Sequence, residues 1–293
     1  MDDHTTPPGT GLSRSTLTRG ALLRRVGWGA GAALAASALT STTTLTIAKA
    51  ASAVTRRSTM QAKPTVVLVH GGFVDGSSWS KVVQLLQAAG HPVVAVQLDL
   101  ASPADDIART RAVLAAQHGP TVLVGHSYGG MVITGAGVGA PHVISLVYVA
   151  GFAPDEGETL IDTGAGFPAA PGPTHAVPDY RTGFLRFEPA AYLQFFMQDV
   201  DPAEARALAA SQKPFAAASF TVKAGAPAWR QLPSWYLVSE DDRMINPDAQ
   251  RKMAARMGAT TSIVRGASHA SPVSHPGKVA DAIQAAALVH AKP

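Results

Sequence analysis

The chain has no cysteine. That excludes a disulfide framework, a thiolate nucleophile and any cysteine-held metal. Its ten histidines are scattered, and none stands in an H-x-E or H-E-x-x-H arrangement. The spacing that presents two ligands to a zinc ion is therefore missing, and neither a metal nor a cofactor is expected. Long apolar runs are missing too. The uncharged stretch Val26 to Leu39, 14 residues, is too short to span a bilayer. An excess of one charge is also missing once the first 53 residues are set aside. Those hold five of the 24 basic and two of the 20 acidic residues, which leaves 19 against 18, a net of +1. No basic footprint remains for nucleic acid, which is excluded as a partner.

Residues 1–53 carry a different signal. Arg14, Arg19, Arg24 and Arg25 precede the Val26–Leu39 run, and Ala48-Lys49-Ala50-Ala51-Ser52-Ala53 supplies A-x-A sites. A basic region, a short apolar region and small residues at a cleavage site make an export signal. The Arg24-Arg25 pair and the Gly/Ala-rich apolar region resemble the twin-arginine type. The expectation is an exported, periplasmic or secreted protein that meets a membrane only transiently, through this segment. Export in the folded state also accounts for an extracytoplasmic chain without disulfides. Residues 54–63 read as a linker.

From Pro64 onward, short β-branched runs alternate with helical patterns. Val66–Val69, Pro92–Leu98, Thr121–Val124 and Val143–Ala150 read as buried strands; Ser77–Ala89, Pro103–Gln117 and Tyr128–Gly137 read as helices. Asp105 and Asp106 fall in a first turn, where the helix dipole favours them. The pattern resumes with the strand Ser234–Val238, the helix Pro247–Met257, the strand Thr261–Val264 and a helix from Pro276 to about His290. Such alternation implies an α/β fold, a mostly parallel sheet with helices on both faces. Between them the pattern breaks. Residues 152–231 are rich in proline and hold eleven of the chain's 18 aromatic residues. A structureless connection of that length is rare in a compact domain, so this stretch reads as a lid over a core formed by 64–151 and 232–293. Its aromatics, Phe152, Phe195 and Phe196 among them, are expected to wall a substrate pocket together with Phe73.

The chemistry is carried by Gly125-His126-Ser127-Tyr128-Gly129, a G-x-S-x-G directly after the strand Thr121–Val124. A strand that turns sharply into a helix projects the serine Oγ, and the flanking glycines leave room for that turn. A serine nucleophile needs a base and an orienting acid, in the chain order Ser, Asp or Glu, His. Three adjacent carboxylates, Glu240, Asp241 and Asp242, follow the strand that ends at Val238. Chemistry alone does not choose among them. His269 follows the last strand and fits the base; His275, before Pro276 at a helix start, reads as structural. Two amides must hold the oxyanion. One is Tyr128, after the nucleophile. The other comes from His70-Gly71-Gly72-Phe73, with Gly72 favoured over Phe73. His70 and His126 read as bracing residues.

These motifs resemble the α/β-hydrolase superfamily, and within it the small lidded serine esterases related to plant methylesterases and hydroxynitrile lyases. The resemblance covers about residues 64–290. It implies an α/β-hydrolase fold with a helical lid inserted before the acid-bearing strand. In such proteins the acid is followed by a basic residue, an Ile shortly before a Pro, and a helix carrying a Gln. Asp242-Arg243-Met244-Ile245, Pro247 and Gln250 match that register. The resemblance thus implies Asp242 as acid, with Asp241 as the alternative, and His269 as base.

The implied activity is hydrolysis of a small or medium carboxylic ester through an acyl-enzyme on Ser127. Hydroxynitrile lyase relatives carry a lysine after the base and a threonine after the first-strand histidine; Ala270 and Gly71 stand there in this chain. The same triad also serves cofactor-free perhydrolases and haloperoxidases, and a ligand receptor can retain it without turnover.

Overall fold

The computed structural model describes residues 63–291. The export signal expected over 1–53 and the 54–63 linker, apart from residue 63, lie outside the described residues.

Six strands build the main sheet: β1 (Thr65–Val69), β2 (Val93–Val96), β3 (Thr121–His126), β4 (Val143–Val149), β8 (Ser234–Ser239) and β9 (Thr260–Val264). Their order is β2-β1-β3-β4-β8-β9, and every pairing is parallel. The side-chain period of two divides the apolar runs between two cores. Val66, Leu68, Val122 and Val124 join Trp79, Leu86 and Ile283 on one face. Val67, Val69 and Leu123 join Met131, Ile133 and Leu114 on the other. Both faces are buried, which is why these strands read as unbroken β-branched runs.

The helices lie in those two layers. On the first face are α1 (Ser80–Ala88) and the C-terminal helix (Pro276–Ala287); on the second are α2 (Pro103–Ala115) and α3 (Tyr128–Ala136). The Ser102 hydroxyl caps α2 by accepting from the Asp105 amide, with Pro103 in the first turn. β2 stops short of the expected Leu98, because the Leu98 N–H donates to the His70 ring and not to a neighbouring strand. The expected last helix ends at Ala287, and a short helical turn, Ser271–Ser274, follows His269. Among the described residues no helix is long and apolar enough to cross a membrane.

The segment between β4 and β8 adds a small sheet to the helices expected of the lid. It carries β5 (Ala176–Pro178), β6 (Phe184–Phe187) and β7 (Phe215–Ala216), an antiparallel sheet of its own, besides α4 (Pro202–Ala210) and a π-helical turn, Tyr192–Phe196. Strands of two to four residues are too short to show alternation, so they are invisible as a pattern. The lid is bonded down: the Ala216 amide donates to the Leu100 carbonyl at 3.0 Å, and the Tyr192 hydroxyl to the Phe73 carbonyl at 3.0 Å.

Candidate active site

β3 ends at His126, α3 starts at Tyr128, and Ser127 between them sits at φ 52°, ψ −124°. A non-glycine residue rarely adopts that conformation, and the surroundings must hold it there. The Ser127 amide donates to the Val149 carbonyl (3.1 Å), and the Ser127 carbonyl accepts from Gly130 (2.9 Å) and Phe152 (3.0 Å). A Cβ at Gly125 would strike the Gly129 carbonyl, and one at Gly129 would strike the Val69 carbonyl, so the turn closes only with glycine at both.

The three residues expected to cooperate are brought together. The Ser127 hydroxyl lies 2.8 Å from His269 Nε2, and His269 Nδ1 lies 2.7 Å from Asp242 Oδ2. All three are buried. Asp242 is fixed from four directions. Its Oδ1 accepts from the Met244 (2.7 Å) and Ile245 (2.9 Å) amides; its Oδ2 accepts from Gln250 (2.7 Å) as well as from His269. Asp241 is exposed and Glu240 half-buried, so neither competes for the imidazole. His275 lies beside Ser274 and Asp199, and it does not border the cavity described below.

The other two buried histidines brace the site. His70 Nδ1–H donates to the Gly71 carbonyl (2.8 Å), and His70 Nε2 accepts from the Leu98 amide (3.0 Å), which fixes one neutral tautomer. Burial pulls its pKa down from 6.5 to about 4. His126 Nε2–H donates to the backbone carbonyl of His269 at 2.8 Å, tying the elbow to the base loop. Burial, and then the neighbouring His269, hold His126 well below the ordinary histidine range.

Asp106 plays a part its sequence position does not reveal. It is a fully buried carboxylate on α2, and it accepts from the Asp99 and Leu100 amides and from the Tyr128 hydroxyl (2.8 Å). Burial raises its pKa. Its neighbour Asp105 is exposed and accepts from the hydroxyl of the capping Ser102. Nothing in the sequence distinguishes the two beyond which face of the helix each occupies.

Above Ser127 and His269 opens a cavity of about 470 Å³. Gly72 and Tyr128, the expected oxyanion donors, border it, as do Phe73, Phe152 and Phe196. Tyr128 is the first residue of α3, so its amide has no intrahelical acceptor. Phe195 is a correction: it does not line the cavity and instead stacks on His175, ring centroids 4.3 Å apart. Adjacent side chains of this helical turn point in different directions, and it is Phe196 that faces the cavity. Phe187, Phe215 and Phe220, lid aromatics not singled out in the sequence, share the wall; the sequence reading missed the aliphatic Leu160, Leu185 and Met244. Among the described residues no charged side chain borders the cavity. The Tyr128 hydroxyl is committed to Asp106, so Ser127, His269 and Thr221 supply its remaining polar side chains. Among the described residues no group of three His, Cys, Asp or Glu side chains is placed to hold a metal.

Sequence comparison agrees with this architecture. The sequence profile of the alpha/beta hydrolase family matches residues 66–282. A pyrethroid hydrolase from Sphingobium wenxiniae is 30% identical over 245 residues, 74% of this chain and 85% of the relative. A carbendazim-hydrolysing esterase from Nocardioides is 38% identical over 110 residues, 32% of this chain; the match spans 45% of that protein's length. The solved structure of polyneuridine aldehyde esterase superposes with a TM-score of 0.66 at 21% identity, covering 76% of this chain and 98% of the other. The chain belongs to the alpha/beta hydrolase family.

Proposed function

We propose that the protein is a serine carboxylic-ester hydrolase that turns over an uncharged, apolar ester through an acyl-enzyme on Ser127. The observation that carries the reading is the unbroken hydrogen-bond chain Asp242–His269–Ser127 at 2.7 and 2.8 Å, opening onto a cavity without a charged side chain. His269 Nε2 takes the Ser127 proton as Oγ attacks the ester carbonyl, and Asp242 holds the tautomer and stabilises the imidazolium. The Gly72 and Tyr128 amides donate to the oxyanion as it forms. His269 returns the proton to the leaving alkoxide, and water repeats the sequence to release the acid.

The cavity sets the substrate class. Its volume lies in the roughly 300–1,000 Å³ range of small-molecule sites. A carboxylate or ammonium on the substrate would lose its hydration with no partner in return. Esterases and hydrolases among the named relatives support ester cleavage over lyase chemistry. A Cβ at Gly71 would lie 2.8 Å from the Ser127 Cβ, so this elbow has no room for the threonine that lyase relatives carry there.

Turnover of p-nitrophenyl acetate, butyrate and octanoate tests the reading. Hydrolysis and stoichiometric labelling by a fluorophosphonate are expected, and Ser127→Ala is expected to lose about 10⁴-fold or more in kcat. A folded Ser127→Ala with full activity overturns it; binding of the esters without turnover identifies a receptor.

We also propose export, carried by the arginines, apolar run and A-x-A sites of residues 1–53. N-terminal sequencing from the native host is expected to find Ala51 or Val54 first. An intact Met1 on cytoplasmic protein overturns it.

A further inference from the structure

Two adjacent lid residues each grip the residue that precedes a triad member. The Gln198 side-chain amide donates to the Asp241 carbonyl at 2.7 Å, one residue before Asp242. The Ser268 amide donates to Asp199 Oδ2 at 3.0 Å, one residue before His269. We propose that Gln198 and Asp199 are positioning residues for the reaction: the lid, besides walling the pocket, sets the acid and the base in register with each other. This inference rests on the serine-hydrolase reading.

The acid loop leaves the end of β8, and the base loop leaves the end of β9. Apart from the imidazole–carboxylate contact itself, two backbone bonds link them near the triad: the Glu240 amide donates to the Val264 carbonyl (3.1 Å) and the Asp241 amide to the Ala267 carbonyl (3.0 Å). Neither bond holds the Asp241 carbonyl or the Ser268 amide, so the peptides next to the two triad residues keep some freedom to rotate. The Gln198–Asp199 pair spans both loops and removes that freedom. A bond from a backbone amide to a carboxylate is charge-assisted and so among the stronger ones. Rotation of the Ser268 peptide would swing the His269 ring away from Ser127, and proton transfer depends steeply on that approach.

Stability alone accounts poorly for Asp199. Its Oδ1 is buried with no hydrogen-bond partner among the described residues. His275 Nδ1 lies 3.4 Å from its Oδ2, beyond a short contact. A buried acceptor left open disfavours the fold, so the carboxylate is better explained by what it holds than by what it contributes to folding. The same lid segment reaches the base directly: the Phe196 ring packs edge-on against the His269 ring, centroids 4.8 Å apart, and lines the cavity. Phe196, Gln198 and Asp199 thus couple the substrate wall to the triad.

Steady-state hydrolysis of p-nitrophenyl butyrate and the rate of fluorophosphonate labelling test this on the mature enzyme. Asp199→Ala is expected to lower kcat and the labelling rate together by about tenfold or more, with KM changed less than about twofold. Asp199→Asn keeps a side-chain carbonyl for the Ser268 amide and is expected within about threefold of wild type. Gln198→Ala is expected to cost about three- to fivefold in kcat, since the Asp242 carboxylate keeps its own four partners. Lys213→Met removes a different lid anchor, the ammonium that donates to the Leu98 carbonyl, and is expected to leave kcat unchanged. If Asp199→Ala does not fold, Asp199→Ser, too short to reach the amide, carries the same expectation. A folded Asp199→Ala or Asp199→Ser with normal kcat overturns the inference. So does an equal loss in Lys213→Met, or an Asn variant as impaired as Ala. The two readings fail separately: an active Ser127→Ala sinks the serine mechanism, whereas an inert Ser127→Ala beside a normal Asp199→Ala sinks the positioning role alone.

Discussion

Gln250 donates its side-chain amide to Asp242 Oδ2 at 2.7 Å, the same carboxylate oxygen that accepts from His269. Gln250 is fully buried, and its amide also donates to the Ile245 carbonyl (3.0 Å) while its Oε1 accepts from the Ser239 amide (3.1 Å). One side chain on the helix Pro247–Arg256 thus joins the end of β8, the acid loop and the acid. Gln250→Leu leaves the Ser239 N–H and the Ile245 carbonyl buried without these partners, at about 1–3 kcal/mol each. The expected result is a lower urea midpoint together with a roughly tenfold loss of kcat, read from denaturation and steady-state assays. An unchanged kcat would mean that the Met244 and Ile245 amides alone hold the acid.

The choice of acid is testable residue by residue. Asp242→Asn keeps the shape of the carboxylate but favours the wrong imidazole tautomer, so kcat is expected to fall about 10³- to 10⁴-fold. Asp241→Asn and Glu240→Gln alter groups directed away from the imidazole, and each is expected to cost less than about tenfold. Three single variants assayed on one ester decide it. A crippled Asp241→Asn beside a healthy Asp242→Asn would reverse the assignment.

Phe195 and Phe196 offer a matched pair. Phe196 is buried, lines the cavity and packs on His269; Phe195 stacks on His175 outside it. A buried aromatic side chain is worth about 1.5–3 kcal/mol of apolar burial, so Phe196→Ala is expected to lower kcat/KM at least tenfold. Phe195→Ala is expected to stay within about twofold, because it touches neither cavity nor triad. The comparison is kcat/KM across the acetate, butyrate and octanoate esters. Equal losses in the two variants would contradict the assigned orientations.

The core was legible in the sequence and the lid largely was not. Thr121–His126 and Thr65–Val69 are buried on both faces, so they had to be continuous apolar runs, and the elbow had to carry Gly125 and Gly129. Those constraints are local and leave a local mark. The acid was harder, since Glu240, Asp241 and Asp242 are equivalent chemically; only the family resemblance, through the register of Arg243, Ile245, Pro247 and Gln250, separated them. The lid strands were too short to show a period. The contact from Asp199 to the Ser268 amide joins residues 69 apart through a backbone group, and a backbone amide leaves no trace in the residue types. Asp105 and Asp106 show the same limit within one helix, one in solvent beside the capping Ser102 and the other buried against Tyr128.

The last expectation concerns acid stability. In the native state His70 is neutral, donating through Nδ1 and accepting through Nε2, with its pKa lowered by burial to about 4 from 6.5. The unfolded chain protonates this histidine near the ordinary value. Between about pH 6.5 and pH 4 the unfolded state therefore binds more protons, and stability falls as pH drops through that window. At about 1.4 kcal/mol per unit the loss from His70 is on the order of 3 kcal/mol, levelling off below about pH 4. His126, held well below the ordinary histidine range by burial and by His269, adds a loss of the same sign. Urea midpoints measured from pH 7.5 to 4.5 are expected to decline for the wild type. His70→Gln, which cannot titrate, is expected to be less stable at neutral pH but to decline less steeply. A wild-type midpoint that stays flat across the window, or an undiminished slope in His70→Gln, would show that His70 does not carry the acid sensitivity.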